Sequence, residues 1–500
     1  MYAIGIDIGT TNCKICLYRI SDLALINKYS FPTPKKITEY GSDFDISPLW
    51  DGILHGLTLA AHQVNDPQNI AAISVASVGE AGVLLDAQDR IIGPVLTWYD
   101  TRSQPQLEKV IERLGEKQLY EITGIPAHSN YSLNKILWLS EQPGHQPPAR
   151  WLCLAEYIAF RLSGVKKAEY SLASRTLAFN INTANWSEAI CRAMELPQGL
   201  FSPLVNAGEP TGDLLPSLRQ ITGIPAQAKI SIAGHDHMCG SVAVGITDET
   251  QILNSTGTTE GLLMVSQRLA VSSAYQEARV SNGVHVLPER YSLYASLPAA
   301  GYAIEWFCQL FGLSSADFSQ MADSLTHSSA ANKPDSSFLI PHLRGSGPPK
   351  RTIFAKGLLY GIGERSEPET LLRALFHGLC FELRLLLETY EKLTDRRWAS
   401  VLVTGAACRN PYWLQLKANI LNREIIACAV SEAVSLGAAI IGARGAGYQP
   451  AVSPLIEKGQ RRYQPVSTSA AHFQQIYEDI YKPLYDRKMQ IENQLSRTPL

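Results

Sequence analysis

Apolar residues along the chain recur at two spacings, one typical of strands and one typical of helices. The first apolar segment, YAIGIDI, places four large apolar side chains on one face of a strand and Asp7 on the other. In residues 371–393, leucines recur every three or four positions, which predicts a long amphipathic helix. Strand-like and helix-like segments alternate throughout, so the sequence predicts an α/β fold.

The tripeptide Gly-Thr-Thr occurs twice, at residues 9–11 and 257–259. The strand-like segments YAIGIDI and CKICLY flank the first copy, and QILNS and GLLMVS flank the second. Glycine permits a positive φ at a hairpin tip and leaves room for a ligand near the backbone. Because a chain of 500 residues exceeds one hydrophobic core, we predict two domains, residues 1–245 and 246–500, each beginning with such a hairpin.

A hairpin rich in glycine and threonine presents backbone N–H groups and hydroxyls, which are suitable donors to a phosphate. Either copy alone is more typical of an ordinary tight turn. Two copies, with Asp7 beside the first tip and Lys14 just beyond it, favour a polyphosphate held between two domains. The P-loop pattern G-x-x-x-x-G-K-[ST] is absent from the sequence.

Composition and charge argue against several kinds of partner. A net charge of -2 is not that of a protein that binds nucleic acid or an anionic membrane by bulk electrostatics. No apolar run is long enough to span a bilayer. The nine cysteines are scattered and odd in number, which predicts reduced thiols and a cytoplasmic protein. Cys13 and Cys16 form a C-x-x-C pair within a strand-like segment, and we interpret them as structural thiols.

Asp236 is a candidate functional residue, because it stands between a predicted strand and a predicted helix. It follows the strand-like KISIA and precedes CGSVAVG, a run of small residues that predicts a closely packed helix. The flanking His235 and His237 leave a metal site open as an alternative. No third ligand follows at a suitable spacing, so zinc is the weaker interpretation.

Nine motifs, in their order and spacing, resemble the FGGY family of sugar and polyol kinases. They are GIDIGTTNCK (5–14), SVGEAGVLLD (77–86), TWYDTRS (97–103), TGIPAHSNYSLNKILWLSEQ (123–142), AGHDHMCGSVAVG (233–245), NSTGTTEGL (254–262), AAGYAIEWF (299–307), VTGAACRNPYWLQLKANIL (403–421) and AVSLGAAIIGA (433–443). The resemblance implies two ribonuclease H-like domains on either side of an ATP cleft, as in actin, hexokinase and the chaperone ATPases. Each Gly-Thr-Thr would then be a phosphate-binding hairpin.

The resemblance also assigns a nucleotide site. Asp7 takes the position of an aspartate near Mg²⁺ and the ATP phosphates. The phosphate positions are Thr10, Thr11, Asn12 and Lys14 in the first hairpin and Thr258 in the second. The remaining nucleotide positions are Gly301, Glu305, Gly405, Ala406 and Asn410. Lys14 replaces an arginine that is frequent in the family, which keeps the charge and loses the forked donor geometry.

Two of these positions allow a second interpretation. Ala406 replaces one glycine of a pair that is usual in the family and would crowd the adenosine slightly. Asn410 precedes Pro411, so it is suited equally to capping a helix and to contacting the nucleotide.

The resemblance places the acceptor pocket in the first domain, with Asp236 as general base and His237 beside the substrate. Gly79 and Glu80 stand where glycerol kinases have Arg-Glu and xylulokinases Met-His, so Glu80 is expected to lack a basic neighbour. Trp98 and Tyr131 take aromatic positions near the substrate. Asn130 competes with Tyr131 for its position, and structural packing remains an alternative for Glu80 and both aromatic residues.

These assignments predict a kinase that transfers phosphate from ATP, with Mg²⁺, to a primary hydroxyl of a small neutral sugar or polyol. A ketose of the xylulose or ribulose type and a polyol are both expected substrates, and a homodimer is expected by analogy. The alternative is a chaperone-like or non-catalytic ATPase of the same fold. A chaperone would need a peptide-binding region after its nucleotide domain, whereas the motifs here continue to about Gly447 and leave only a short, partly helical tail.

Overall fold

Two mixed β-sheets, one in each half of the chain, organise the computed structural model, which describes residues 1–39, 41–144, 146–327, 336–364, 366–452 and 459–495. The strands of the first half are β1 (Tyr2–Ile8), β2 (Asn12–Arg19), β3 (Leu25–Pro32), β4 (Lys35–Thr38), β5 (Gly41–Phe44), β6 (Ile70–Ser77), β7 (Gly82–Leu85), β8 (Val95–Leu96), β9 (Arg150–Cys153), β10 (Ala168–Glu169), β11 (Phe179–Asn180), β12 (Asn185–Trp186), β13 (Leu204–Val205), β14 (Pro210–Asp213) and β15 (Lys229–His235). Its helices are α1 (Ile46–His62), α2 (Gln104–Leu114), α3 (Glu116–Thr123), α4 (Ser132–Ser140), α5 (Leu154–Ser163), α6 (Tyr170–Ala173), α7 (Glu188–Ala193), α8 (Pro216–Thr222) and α9 (Asp236–Ala243).

The second half repeats the alternation of strands and helices. Its strands are β16 (Ile252–Thr256), β17 (Glu260–Ser266), β18 (Ser281–Val284), β19 (Tyr291–Leu297), β20 (Phe338–Ile340), β21 (Leu358–Tyr360), β22 (Ser400–Gly405), β23 (Glu424–Ala427) and β24 (Arg461–Tyr463). Its helices are α10 (Ser273–Glu277), α11 (Gly301–Phe311), α12 (Ser315–His327), α13 (Pro368–Thr394), α14 (Pro411–Leu421), α15 (Ala433–Gly445), α16 (Ser467–Ile476) and α17 (Lys482–Leu495).

The two sheets share one strand arrangement. The first has the order β14-β15-β6-β1-β2-β3 and the second β18-β19-β17-β16-β22-β23-β24. In each, the hairpin strands pair antiparallel, β1 with β2 and β16 with β17. On its other edge, the first hairpin strand pairs parallel with a later strand, β1 with β6 and β16 with β22. The predicted α/β class and the predicted hairpins at both Gly-Thr-Thr copies are confirmed.

Helices cover the sheets with apolar faces. The first-half core joins α1 and α5 to the sheet through side chains such as Ile6, Leu57 and Ile158. The second-half core centres on α13, whose buried leucines include Leu375 and Leu383. The long helix predicted over 371–393 is confirmed, with one turn more at its N-terminal end. All nine cysteines are free thiols, as expected.

Helix α15 comes from the second half of the chain but packs on the sheet of the first half. Its Leu436 and Ile440 share a buried cluster with Ala3 on β1 and with Cys239 on α9. The Tyr18 hydroxyl also lies 2.9 Å from Ser435 Oγ, which fixes the start of α15 to β2. The loop before α15 is therefore held against the strands that carry the first Gly-Thr-Thr.

Candidate active site

Asp236 lies where strand β15 ends and helix α9 begins. Its Oδ1 accepts a hydrogen bond from the backbone N–H of His237 at 2.7 Å and lies 2.8 Å from His235 Nδ1. Burial alone would raise the pKa of this carboxyl, but the adjacent His237 and His235 imidazoles and these hydrogen bonds lower it to about 2. Asp236 is therefore an ionised acceptor at neutral pH, at the start of a helix, where negative charge is favourable.

His237 joins Asp236 to the second half of the chain. Its Nε2 lies 3.0 Å from the Tyr294 hydroxyl on β19, and its Nδ1 lies 3.3 Å from Ser255 Oγ on β16. Burial lowers the pKa of the imidazole, so His237 is neutral at neutral pH. The Asp236 site is thus built between the two sheets.

Glu80 follows strand β6 and has a buried side chain close to this site. Gly79, one residue earlier, packs against His235 so closely that a Cβ would lie 2.7 Å from the imidazole ring. Glu80 itself has a φ of 63°, the left-handed region that side-chain-bearing residues rarely adopt. The backbone at Gly79 and Glu80 is therefore held in one strained conformation, which fixes the orientation of the Glu80 carboxylate.

The expectation that Glu80 lacks a basic neighbour is wrong. Arg175 Nε donates to Glu80 Oε1 at 2.7 Å, and Nη2 lies 2.6 Å from the same oxygen, with both side chains buried. The guanidinium also lies over the Tyr131 ring, 5.2 Å from its centroid. The basic partner is absent from the neighbouring sequence because it comes from the segment after α6.

Lys135 holds the backbone of two segments of the predicted acceptor pocket. This side chain on α4 is fully buried, and its Nζ donates to the carbonyl of Glu80 at 2.9 Å and to that of Trp98 at 3.2 Å. Burial lowers the pKa of the amine to about 7. One lysine therefore ties together two segments that the sequence predicted to line the substrate pocket.

The two predicted aromatic positions differ in their surroundings. Tyr131 is buried beside Arg175, and its hydroxyl lies 3.4 Å from Ser281 Oγ. The Oδ1 atom of the competing Asn130 lies 2.7 Å from His128 Nδ1. Trp98 donates its indole N–H to Thr10 Oγ1 at 2.8 Å, which connects the acceptor region to the first hairpin.

At the first hairpin, Asp7 and Lys14 are cross-strand partners on β1 and β2, and Thr10, Thr11 and Asn12 lie at or beside the tip. Burial raises the pKa of Asp7 to about 7 against the lowering effect of Lys14, and the charges of Asp236 and Glu432 add to the rise. Asp7 and Asp236 are thus electrostatic neighbours. Lys14 Nζ lies 3.6 Å from Asp7 Oδ2 and 3.0 Å from Glu432 Oε2.

At the second hairpin, Thr258 is exposed at the tip, and its carbonyl accepts the N–H of Ala300 at 3.2 Å. Gly301 N donates to the Gly257 carbonyl at 3.0 Å, so α11 begins directly at the hairpin. Gly405 ends β22 beside Thr256 with a φ of 86°, and a Cβ there would collide with the Thr256 carbonyl. Three predicted nucleotide positions, Thr258, Gly301 and Gly405, therefore lie together.

The other predicted nucleotide residues lie at the edge of this group. Ala406 begins the short 3-10 turn Ala406–Arg409. Asn410 Oδ1 accepts the N–H of Trp413 at 3.0 Å and so caps α14, which was one of its two alternatives. Glu305 is exposed on α11, and its Oε1 accepts from Gln309 at 3.5 Å.

Sequence reasoning missed several residues of this site: Arg175, Lys135, Tyr294, Ser255 and Glu432. Arg175 and Lys135 each carried a signal, because a charged residue stood inside a run of apolar and small residues. A buried charge of this kind usually has a dedicated partner. The polar Tyr294 and Ser255 had no such signal.

Two further observations concern metal binding and membrane spanning. Within the residues that the structure describes, no group of three or more His, Cys, Asp or Glu side chains is arranged to hold a metal ion. In the same part of the chain, no helix has the length and apolar character needed to cross a bilayer.

Known proteins are similar to this chain over nearly its whole length. The xylulose kinase of Lactococcus lactis is 27% identical over 99% of this chain and 98% of its own length. The glycerol kinase of Thermococcus kodakarensis is 23% identical over 93% of each chain. The crystal structure of the xylulose kinase from Lactobacillus acidophilus superposes with a TM-score of 0.85 at 21% identity, covering 99% of both chains.

Family models match both halves. The model of the FGGY carbohydrate kinase N-terminal domain matches residues 2–243, and that of the C-terminal domain matches residues 252–446. The matched segments make up most of the chain and favour a phosphotransferase over the chaperone-like alternative. They agree with the predicted fold of two actin- and hexokinase-type units, and the chain belongs to the FGGY family of carbohydrate kinases.

Proposed function

We propose that this kinase transfers the terminal phosphate of ATP to a primary hydroxyl of a small neutral sugar or polyol, with Asp236 as general base. The observation that carries the proposal is the position of Asp236. Its ionised carboxylate lies between the two sheets, beside His237 and electrostatically coupled to Asp7. An oriented carboxylate that accepts the hydroxyl proton is what phosphoryl transfer requires from the acceptor side.

The low pKa of Asp236 is compatible with a base that accepts its proton late in the phosphoryl-transfer step. A carboxylate of this kind is a weak acceptor for the proton of a free alcohol. As the new bond to phosphorus forms, the hydroxyl becomes acidic, and the carboxylate is already positioned to accept the proton. In this proposal, Asp236 mainly orients the attacking oxygen and then receives its proton.

The charge balance of the pocket supports a neutral acceptor. The Arg175 guanidinium is already paired with the Glu80 carboxylate, and the Lys135 amine is directed at two backbone carbonyls. Within the pair the two charges cancel, and the pair offers both donors and an acceptor to hydroxyls. The names of the relatives agree, because xylulose and glycerol are both small, neutral and polyhydroxylated.

On the nucleotide side, we propose that the two hairpins bind the ATP phosphates and that Asp7 holds Mg²⁺. Asp7 suits this cation because its carboxylate is buried near two other carboxylates, Asp236 and Glu432, and is stabilised by added positive charge. When bound, Mg²⁺ would supply neutralisation of phosphate charge. Gly301 and Gly405 let their backbones approach the second hairpin closely, and we place the rest of the nucleotide beside them, near Ala406, Asn410 and Glu305.

An ADP-release screen tests the substrate class. The acceptors are ketopentoses, ketohexoses, tetritols, pentitols and glycerol, with gluconate and a sugar phosphate as anionic comparators. We expect the highest kcat/KM with a neutral ketose or polyol. Activity confined to the anionic acceptors would contradict the reading of the Glu80–Arg175 pair as a neutral pocket.

Thr258→Val tests the second hairpin. The Thr258 hydroxyl is exposed at the tip, and its removal should cost about 1.5–3 kcal/mol if it donates to a charged phosphate oxygen. We therefore expect kcat/KM for ATP to fall roughly 10- to 150-fold, with little change in the KM for the sugar. Thr258→Ser keeps the hydroxyl and serves as the matched control. Unchanged ATP kinetics in a folded Thr258→Val enzyme would make the second Gly-Thr-Thr a simple turn.

Thr10→Val is the companion variant at the first hairpin, and its effect should be broader. The Thr10 hydroxyl accepts the indole N–H of Trp98, so its loss also leaves a donor of the acceptor region without this partner. We expect weaker use of both ATP and sugar, in contrast to the ATP-selective effect of Thr258→Val.

A further inference from the structure

Lys14 is not free to meet a phosphate in this structure, because two carboxylates hold it. It lies opposite Asp7 in the β1–β2 hairpin, at 3.6 Å, and its amine is closer still to Glu432, at 3.0 Å. The Lys14 side chain is 27% exposed, so part of it is accessible to a ligand. A phosphate that binds Lys14 must share it with both carboxylates.

Glu432 comes from the other half of the chain. It is the residue just before α15, the helix that packs on the first sheet, and its side chain is only 9% exposed. Its other oxygen, Oε1, pairs with Lys28 on the neighbouring strand β3. The carboxylate therefore bridges two lysines, one that faces the predicted phosphate site and one that is more exposed.

We propose that Glu432 sets the ATP affinity of this kinase by competing with the nucleotide phosphates for Lys14, and that Lys28 moderates this competition. The inference rests on the proposed phosphate role of Lys14. A phosphate near Lys14 approaches the negative charge of Glu432 as well, which opposes binding. Lys28 offsets part of that charge, so it favours ATP without touching it.

The competition predicts effects of opposite sign on either side of the bridge. Glu432→Gln removes the competing charge, and ATP should bind about two- to fivefold more tightly, the range of a partly exposed charge interaction. Lys28→Met removes the second partner of the Glu432 carboxylate, which then pairs with Lys14 alone, and ATP should bind about two- to fivefold more weakly. If the bridge only fastened α15 to the first sheet, both variants would loosen the same contact and both would weaken binding.

Isothermal titration calorimetry of ATP without sugar, on the full chain, tests this inference. The variants are Glu432→Gln, Lys28→Met, Lys14→Met and the double variant Lys14→Met/Glu432→Gln. Glu424→Gln is the matched control. It removes the ion pair between Glu424 and Arg462 on β24, whose charged atoms are 3.1 Å apart and lie outside the proposed site. We expect Glu432→Gln to tighten binding only while Lys14 is present, and the control to leave it unchanged.

The outcomes separate this inference from the function on which it rests. If Lys14→Met leaves ATP binding unchanged, the phosphate role of Lys14 is wrong and the inference falls with it. If Lys14→Met weakens binding while Glu432→Gln and Lys28→Met shift it in the same direction, only the inference is overturned. Tightening by Glu432→Gln that persists without Lys14 overturns it too. Should Glu432→Gln fail to fold, Lys28→Met made alone and in the Lys14→Met background still decides: the inference predicts weaker ATP binding only while Lys14 is present, and a purely structural bridge predicts weaker binding in both backgrounds.

Discussion

Asp236→Asn is expected to lower kcat by roughly 10²–10⁴-fold, the range of a lost general base. The amide keeps the size of the carboxylate but cannot take up the hydroxyl proton in the same way. ATP binding should persist, because the proposed nucleotide contacts come from the hairpins and Gly405. The KM for the sugar should rise only modestly, since the amide oxygen still accepts one hydrogen bond. Separate determination of kcat and KM distinguishes a base from a residue used for uniform binding.

Asp213→Asn is the matched control for this substitution. Asp213 pairs with Lys229 at 2.8 Å near the start of β15, the strand that ends next to Asp236, and both side chains are largely exposed. The control should leave kcat unchanged. Zinc bound at His235–His237 predicts a different pattern, in which chelation or His235→Ala abolishes activity and added zinc restores it. A well-folded Asp236→Asn enzyme with near-normal kcat would disprove the role proposed for Asp236.

The parts of the fold that the sequence predicted are those set by local periodicity. The β1–β2 and β16–β17 hairpins and helix α13 follow from spacings of two and of three to four residues within single segments. The packing of α15 on the first sheet does not follow in this way. It depends on side chains such as Leu436 that meet Ala3 only after the whole chain has folded.

The same distinction applies to the candidate site. The place of Asp236 between a strand and a helix was predicted from the local pattern, and its catalytic role from the resemblance of AGHDHMCGSVAVG to the family motif. Arg175 was missed because it lies 95 positions from Glu80, and no local pattern links the two. The sequence therefore predicted a carboxylate without a basic neighbour, whereas long-range packing supplies the Arg175 guanidinium.

Substitution of Arg175 is the second change for which we expect a large effect. Arg175→Met should lower the free energy of unfolding by about 3–5 kcal/mol, because it leaves the Glu80 carboxylate buried without its partner. The KM for the sugar should rise as well, since Arg175 is a proposed donor to the acceptor hydroxyls. Denaturant-induced unfolding measures the first effect and steady-state kinetics the second. Arg19→Met, which removes the exposed pair with Asp22 at 3.1 Å, should change stability by at most about 1 kcal/mol.

The double variant Glu80→Gln/Arg175→Met separates the two roles of the pair. With both charges removed, no uncompensated carboxylate remains, and much of the lost stability should return. Affinity for the sugar should not return, because neither the guanidinium nor the carboxylate is left to bind hydroxyls. Recovery of both stability and sugar KM would mean that the pair only supports the fold. If Arg175→Met is as stable as the Arg19→Met control, the buried Glu80 carboxylate does not depend on Arg175 to compensate its charge, and the role proposed for the pair in this pocket is wrong.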